Sequence, residues 1–205
     1  MLANQPVELP FSPACERNKD IIFDTIKAHL DTATNVLEVG SGTAQHALHF
    51  AQNCPHLIWQ TSDQSFYLDG IRAQLGNSNI VNILPPLELD VNQSNWVTDA
   101  AVYDIVYTAN TLHIMRWADV QAFFTGLGQV TKSGSLLIIY GPFKYAGEFT
   151  SKSNAGFDQS LRAGGQGSAI RDFEAVKQLA IENGFSLLMD VSMPANNQCL
   201  IWQQD

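Results

Sequence analysis

Two rhythms of apolar and polar positions alternate along this chain. Residues 36–39, 57–61, 84–89, 105–107 and 136–140 are short apolar runs bounded by Gly, Pro, Asn, Asp or Ser. Rich in aliphatic or β-branched residues, they predict buried strands. Between them, 44–53, 66–75 and 117–130 carry apolar residues at three- and four-residue spacing, which predicts helices with one buried face. Strand–helix–strand alternation requires a parallel sheet covered on both faces, so the class is α/β and doubly wound.

The two ends depart from this rhythm. Ser12 and Pro13 precede a run with Ile22, Ile26 and Leu30 on one face, predicting a capped leading helix over about 13–30. Near the other end a helix from about 172 to 183 stops at Gly184, as a left-handed cap would stop it. Runs 187–193 and 199–203 follow, joined by Pro194-Ala195-Asn196-Asn197. That connection is too short for a parallel crossover, so the last strand is expected to be antiparallel and to insert as a hairpin. Residues 141–170 fit no element. They hold Gly141, Gly147, Gly156, Gly164, Gly165 and Gly167, and a stretch this long is expected to be a lid or disordered.

Composition narrows the possibilities. The 205 residues suit one domain, and no linker divides them. Eleven Lys and Arg against twenty Asp and Glu give a net charge of −9, which opposes binding to a phosphate backbone. No run of about 18 apolar residues exists to span a bilayer. Residues 1–13 lack the basic flank and apolar centre of a signal peptide. Cys15, Cys54 and Cys199 form no C-x-x-C pair, so neither a disulfide framework nor a metal site is expected, and a cytoplasmic location is.

The chemistry concentrates in Val36-Leu37-Glu38-Val39-Gly40-Ser41-Gly42-Thr43. A strand ends in a carboxylate, two glycines permit a tight turn, and a helix follows, as where the first βα turn of a doubly wound sheet meets a nucleotide-type ligand. A dinucleotide would want a third glycine where Gln45 stands, and its diphosphate would meet Glu38. S-adenosylmethionine carries an ammonium and a sulfonium, which suit that carboxylate. Asp63 ends the second strand and is placed to accept ribose hydroxyls. Asp90 and Val91 follow the third strand as candidates for adenine, and Asn110 follows the fourth. Singly each residue also reads as a turn former; together they predict one crevice at successive strand ends.

The chain resembles class I S-adenosylmethionine-dependent methyltransferases, and more narrowly the methyltransferase-like family catalogued as domain of unknown function 938. The narrower resemblance is carried by Ser12-Pro13-Ala14 with Glu16-Arg17-Asn18-Lys19, by the glycine turn, and by Leu89-Asp90-Val91 and Leu112-His113-Ile114. It continues in Tyr140-Gly141-Pro142-Phe143, Ser153-Asn154-Ala155-Gly156-Phe157-Asp158, Ile170-Arg171-Asp172 and Met193-Pro194-Ala195-Asn196-Asn197. It implies a mostly parallel seven-stranded sheet with an antiparallel last strand, and it adds Asn18 to the cofactor contacts and Asn154 to the substrate contacts. It supplies no substrate. The chain departs from the family's pattern at 164–169, where an aromatic element is expected.

On the acceptor side, His113 is the candidate general base, with a packed histidine as the alternative. Tyr140 joins it as a candidate catalytic residue, and with Phe143 and Tyr145 it also reads as the wall of an acceptor pocket. Arg162 and Arg171 are placed to pair with an acceptor carboxylate, or internally, Arg171 with Asp158 for example. His46 and His49 read as helix-surface residues. The fourth strand lacks the Asn/Asp-Pro-Pro-aromatic signature of amino-directed methyltransferases, so the expected acceptor is a small molecule. The rivals are an NAD(P)-binding oxidoreductase and a catalytically silent protein that keeps the cofactor fold.

Overall fold

A computed structural model describes residues 9–96 and 102–205; most of the N-terminal stretch read above, residues 1–8, lies outside them. Seven strands form one sheet in the order β3-β2-β1-β4-β5-β10-β9. These are β1 (Asn35–Val39), β2 (Ile58–Asp63), β3 (Ile83–Glu88), β4 (Ile105–Ala109), β5 (Leu136–Gly141), β9 (Phe185–Met193) and β10 (Asn197–Gln204). The expected α/β class and the antiparallel last strand are both observed: β2 pairs with β3, and β4 with β5, in parallel, while β10 pairs antiparallel with both β5 and β9. The chain divides into two compact units that share β1.

The first unit takes the described residues through Thr34 and then Glu38–Leu89. Helix α1 (Pro13–Leu30) starts where the Ser12 hydroxyl accepts from the Cys15 amide, and it buries Ile22, Phe23, Ile26 and Leu30. Helix α2 (Gln45–Asn53) buries Ala47, Phe50 and Ala51, and Phe50 meets the fully buried Trp59 edge to face. Helix α3 (Ser65–Gly76) buries Leu68 and Ile71. Strand β3 contains Pro85 and Pro86 and is largely exposed, where a buried strand was expected. Proline lacks the amide a central strand must donate, and β3 lies at the sheet edge.

The second unit takes Asn35–Leu37 and the described residues from Asp90 onward. Its core is aromatic and aliphatic: Phe123 and Phe124 of α4 (Trp117–Leu127), Ile138 of β5 and Trp202 of β10 are all fully buried. The segment over 141–170, where no element was expected, is ordered, which removes the disordered alternative. It forms β6 (Phe143–Tyr145), β7 (Glu148–Phe149) and α5 (Lys152–Ala163), and β6 pairs with β7 and with β8 (Arg171–Asp172) in a small second sheet. Ser151 caps α5 by accepting from the Asn154 amide, and Gly164 ends it. Helix α6 (Phe173–Glu182) leads through Gly184, at φ 80°, into β9. No helix among the described residues is long and apolar enough to cross a membrane.

Candidate functional site

In the first unit the turn after β1 carries three left-handed residues: Gly40 at φ 78°, Gly42 at φ 54° and Ala44 at φ 57°. Glycine adopts such angles without strain, and Ala44 is held there by the hydrogen bond its amide donates to the Ser41 carbonyl at 2.8 Å. The turn is stitched to the end of β2. The Gly40 and Ser41 amides donate to the Ser62 carbonyl, and the Ser62 hydroxyl donates to the Glu38 carbonyl at 2.7 Å. Asp63 Oδ2 accepts from the Gly42 amide at 2.7 Å, and its Oδ1 accepts from Gln64 at 2.8 Å. Each carboxylate oxygen retains a further lone pair. No atom lies within 4 Å of where a Gly42 Cβ would sit, so the turn has open space before it.

Glu38 is more enclosed than its expected role in meeting a ligand's charge requires. It is 2% exposed, and its Oε2 accepts from both Ser41 Oγ (2.9 Å) and Trp59 Nε1 (3.1 Å). Burial pushes its pKa up to about 7; the Trp59 and Ser41 bonds pull downward, and the Asp63 charge adds to the rise. Burial also raises the pKa of Asp63, against the pull of the Gly42 and Gln64 amides. Two partly desolvated carboxyls thus face the same short turn.

Gln45, which breaks the dinucleotide pattern, has a positive task that its position in the motif did not disclose. Its Oε1 accepts from the Ser12 amide (2.6 Å) and from Thr43 Oγ1 (2.9 Å), while its Nε2 donates to Glu16 (3.1 Å). The start of α1 is thereby tied to the turn. Asn18 joins the same tie, its Oδ1 accepting from His46 Nε2 at 2.8 Å. His46 is buried and stacked on Phe50, which corrects its surface assignment, and burial lowers its pKa to about 4. His49, half-buried, pairs with Asp20.

In the second unit Asp90 turns its Oδ1 onto the Asn92 amide at 2.9 Å, and Val91 is buried beside it in sequence. Asn110 sits at φ 60° with its amide on the Tyr140 carbonyl, and Tyr140 is 3% exposed. His113 is buried, with its ring edge-on to Phe157 at 5.3 Å. Burial, and then the Arg171 charge, lower its pKa to about 4. The imidazole is therefore neutral at physiological pH and able to accept a proton.

The proposed acceptor contacts are engaged within the protein. Phe143 is 1% exposed; Asn154 donates to Thr150 Oγ1 and to the Asn196 carbonyl, anchoring α5 to the hairpin turn. The expected Arg171–Asp158 pair does not form. Arg162 Nε takes Asp158 Oδ2 at 2.5 Å, and the other carboxylate oxygen accepts from the Ile170 amide. Arg171 instead donates to the Leu112, Met115 and Gly167 carbonyls, joining the loop that carries His113 to the strand after α5. Tyr145 donates to Asp190 and stacks on Phe173. No cluster of metal-ligating side chains occurs among the described residues.

The family described as protein of unknown function (DUF938) matches residues 9–204. Among solved structures, the S-adenosylmethionine-dependent methyltransferase SibL aligns with a TM-score of 0.78 at 16% identity, covering 93% of this chain and 55% of its own. Human N-acetylserotonin methyltransferase in complex with S-adenosylmethionine gives 0.78 at 12% identity, covering 93% and 52%. An O-methyltransferase family protein from Burkholderia thailandensis gives 0.72 at 15% identity, covering 94% and 60%. The fold is therefore the Rossmann-like fold of these proteins, and this chain spans a little over half of their length.

Proposed function

As this chain belongs to the DUF938 family and has the fold of methyltransferases, we propose that it transfers a methyl group from S-adenosylmethionine to a small-molecule acceptor. The observation that carries this reading is the pair of buried carboxyls, Glu38 and Asp63, at a turn with open space before it. A diphosphate at that turn would be repelled by ionised Glu38, whereas a ligand with an ammonium and a sulfonium would be attracted, and Asp63 suits a ribose in either case. The donor set fits the cofactor's other groups as well, since Asp63 keeps lone pairs for ribose hydroxyls and the glycines admit close backbone approach.

Bound S-adenosylmethionine supplies an activated methyl whose departure leaves a neutral sulfide. The protein's part is mainly to hold donor and acceptor in line, which contributes roughly 7–11 kcal/mol. In this reading Asn18, Glu38, Gly40, Ser41, Gly42, Thr43 and Asp63 hold the cofactor, with Asp90, Val91 and Asn110 as further contacts. His113 takes the acceptor's proton where it has one to lose, and Tyr140 positions the acceptor. The acidic surface keeps the acceptor class away from nucleic acids. We place the protein in the cytoplasm.

Calorimetry with S-adenosylhomocysteine and with NAD, run side by side, tests this. Binding of the first without the second is expected. Binding of the dinucleotide alone overturns the reading in favour of an oxidoreductase. If S-adenosylhomocysteine binds but no methyl is transferred across a panel of small hydroxyl, amine and thiol acceptors, the fold serves binding only.

A further inference from the structure

The second unit contains a cleft of about 550 Å³ that the cofactor reading leaves unused. That volume suits a metabolite-sized ligand. Lys144, Arg162 and Arg171 line it together with Trp117, Gly167 and Asp172. Three of the protein's eleven basic side chains meet there, on a chain of net charge −9.

Arg171 is the unusual member. The residue is buried, yet no carboxylate lies within ion-pairing distance of it among the described residues. Its Nε and one terminal nitrogen are spent on three backbone carbonyls, so its geometry is fixed, and the carboxylates of Asp158 and Asp119 act on its charge only from beyond contact. A buried cation with no anion in contact is costly and is normally paired. Lys144 rests over the Phe149 ring at 5.6 Å and makes no contact ion pair, with Asp172, its cross-strand neighbour, near enough for the two charges to act on each other. Arg162 uses its Nε for Asp158 and leaves the rest of an exposed guanidinium at the cleft. The one acidic side chain on the lining, Asp172, accepts from the Gly147 amide at 2.9 Å. Trp117 lies 5.9 Å from the Arg171 guanidinium and keeps that side apolar.

We propose that this cleft binds an oxyanion, a carboxylate or a phosphate ester, carried by the molecule to be methylated. The anion completes the missing ion pair of Arg171, with Lys144 and Arg162 closing on it from the exposed side. That the ligand is the acceptor rests on the methyltransferase reading; that the cleft takes an anion does not.

Amide NMR of the full chain, without cofactor, separates the two statements. Sodium phosphate and sodium succinate are titrated in turn against sodium chloride at matched ionic strength. Saturable shifts at Gly165, Gly167 and Ser168 are expected with at least one of them; phosphate alone identifies an ester site, and succinate alone a carboxylate site. Lys144→Gln and Arg162→Gln should each weaken that binding about tenfold, the loss expected for one charge-assisted contact. These two are chosen because Arg171→Gln would also remove three bonds that hold the loop. Shifts that follow chloride, or an affinity unchanged in both variants, overturn the proposal. Saturable anion binding in a protein that ignores S-adenosylhomocysteine would leave the cleft standing and remove only its link to methyl transfer.

Discussion

Asp63 holds the Gly42 amide on its Oδ2 at 2.7 Å, so the residue proposed to grip the cofactor ribose also shapes the turn beneath it. Asp63→Ala removes both tasks, and losing charge-assisted bonds of this kind costs about 1.5–3 kcal/mol. Calorimetry should therefore find S-adenosylhomocysteine bound at least roughly tenfold more weakly than in the wild type. Equal affinity in the two proteins would remove Asp63 from the site.

Glu38 should make cofactor choice depend on pH. Its folded pKa stands at about 7, against an ordinary value of 4.5. Above about 7 the ionised side chain favours the sulfonium of S-adenosylmethionine over the neutral sulfide of S-adenosylhomocysteine. The affinity ratio should rise on the order of tenfold as pH climbs through this range, and be flat in Glu38→Gln. Stability moves the other way. The folded form keeps a proton that the unfolded chain releases, so stability contributed below pH 4.5 is lost as pH rises toward 7. A ratio independent of pH in the wild type would place the cofactor's charge away from Glu38.

Periodicity and turn chemistry made the central elements legible. The hairpin order of β9 and β10 followed from the short connection at 194–197, and the turn at Gly40 and Gly42 from its position after a strand. Long-range side-chain partners were hidden. Gln45 counted in the motif only as an absent glycine, yet it bridges Ser12 and Thr43; no local pattern shows a partner 33 residues away. Arg171 illustrates the same limit, because spacing suggests a carboxylate partner and only the fold shows that three carbonyls take its place. In 141–170, six glycines outweighed the Ser151 cap and the α5 face that buries Asn154 and Asp158. Lys144 carried no signal beyond its charge.

His46 should govern part of the acid unfolding. Burial lowers its pKa to about 4 from 6.5, so the folded protein holds the neutral ring bonded to Asn18. The stability this contributes is complete above pH 6.5 and is lost as pH falls toward 4, in total on the order of 3 kcal/mol. His46→Gln keeps an amide donor for Asn18 and cannot titrate. Urea midpoints measured from pH 7 to pH 4 should fall less steeply in this variant by about one proton. Parallel curves would mean that His46 is solvated.

His113 is where burial and chemistry meet on the acceptor side. With its pKa lowered to about 4 by burial and by the Arg171 charge, it is neutral throughout the physiological range. A general base with that pKa gives a kcat/KM that rises through about pH 4 and then stays level, with no inflection at the ordinary 6.5. His113→Ala should lower kcat by roughly 100-fold or more for an acceptor that must lose a proton. It should leave S-adenosylhomocysteine affinity unchanged and spare an acceptor that reacts as a preformed anion. The ring's other role, its edge contact with Phe157, predicts a separate loss of stability that His113→Phe should largely restore without restoring turnover. Recovery of kcat in His113→Phe would make the residue a packing group and leave proton removal to solvent.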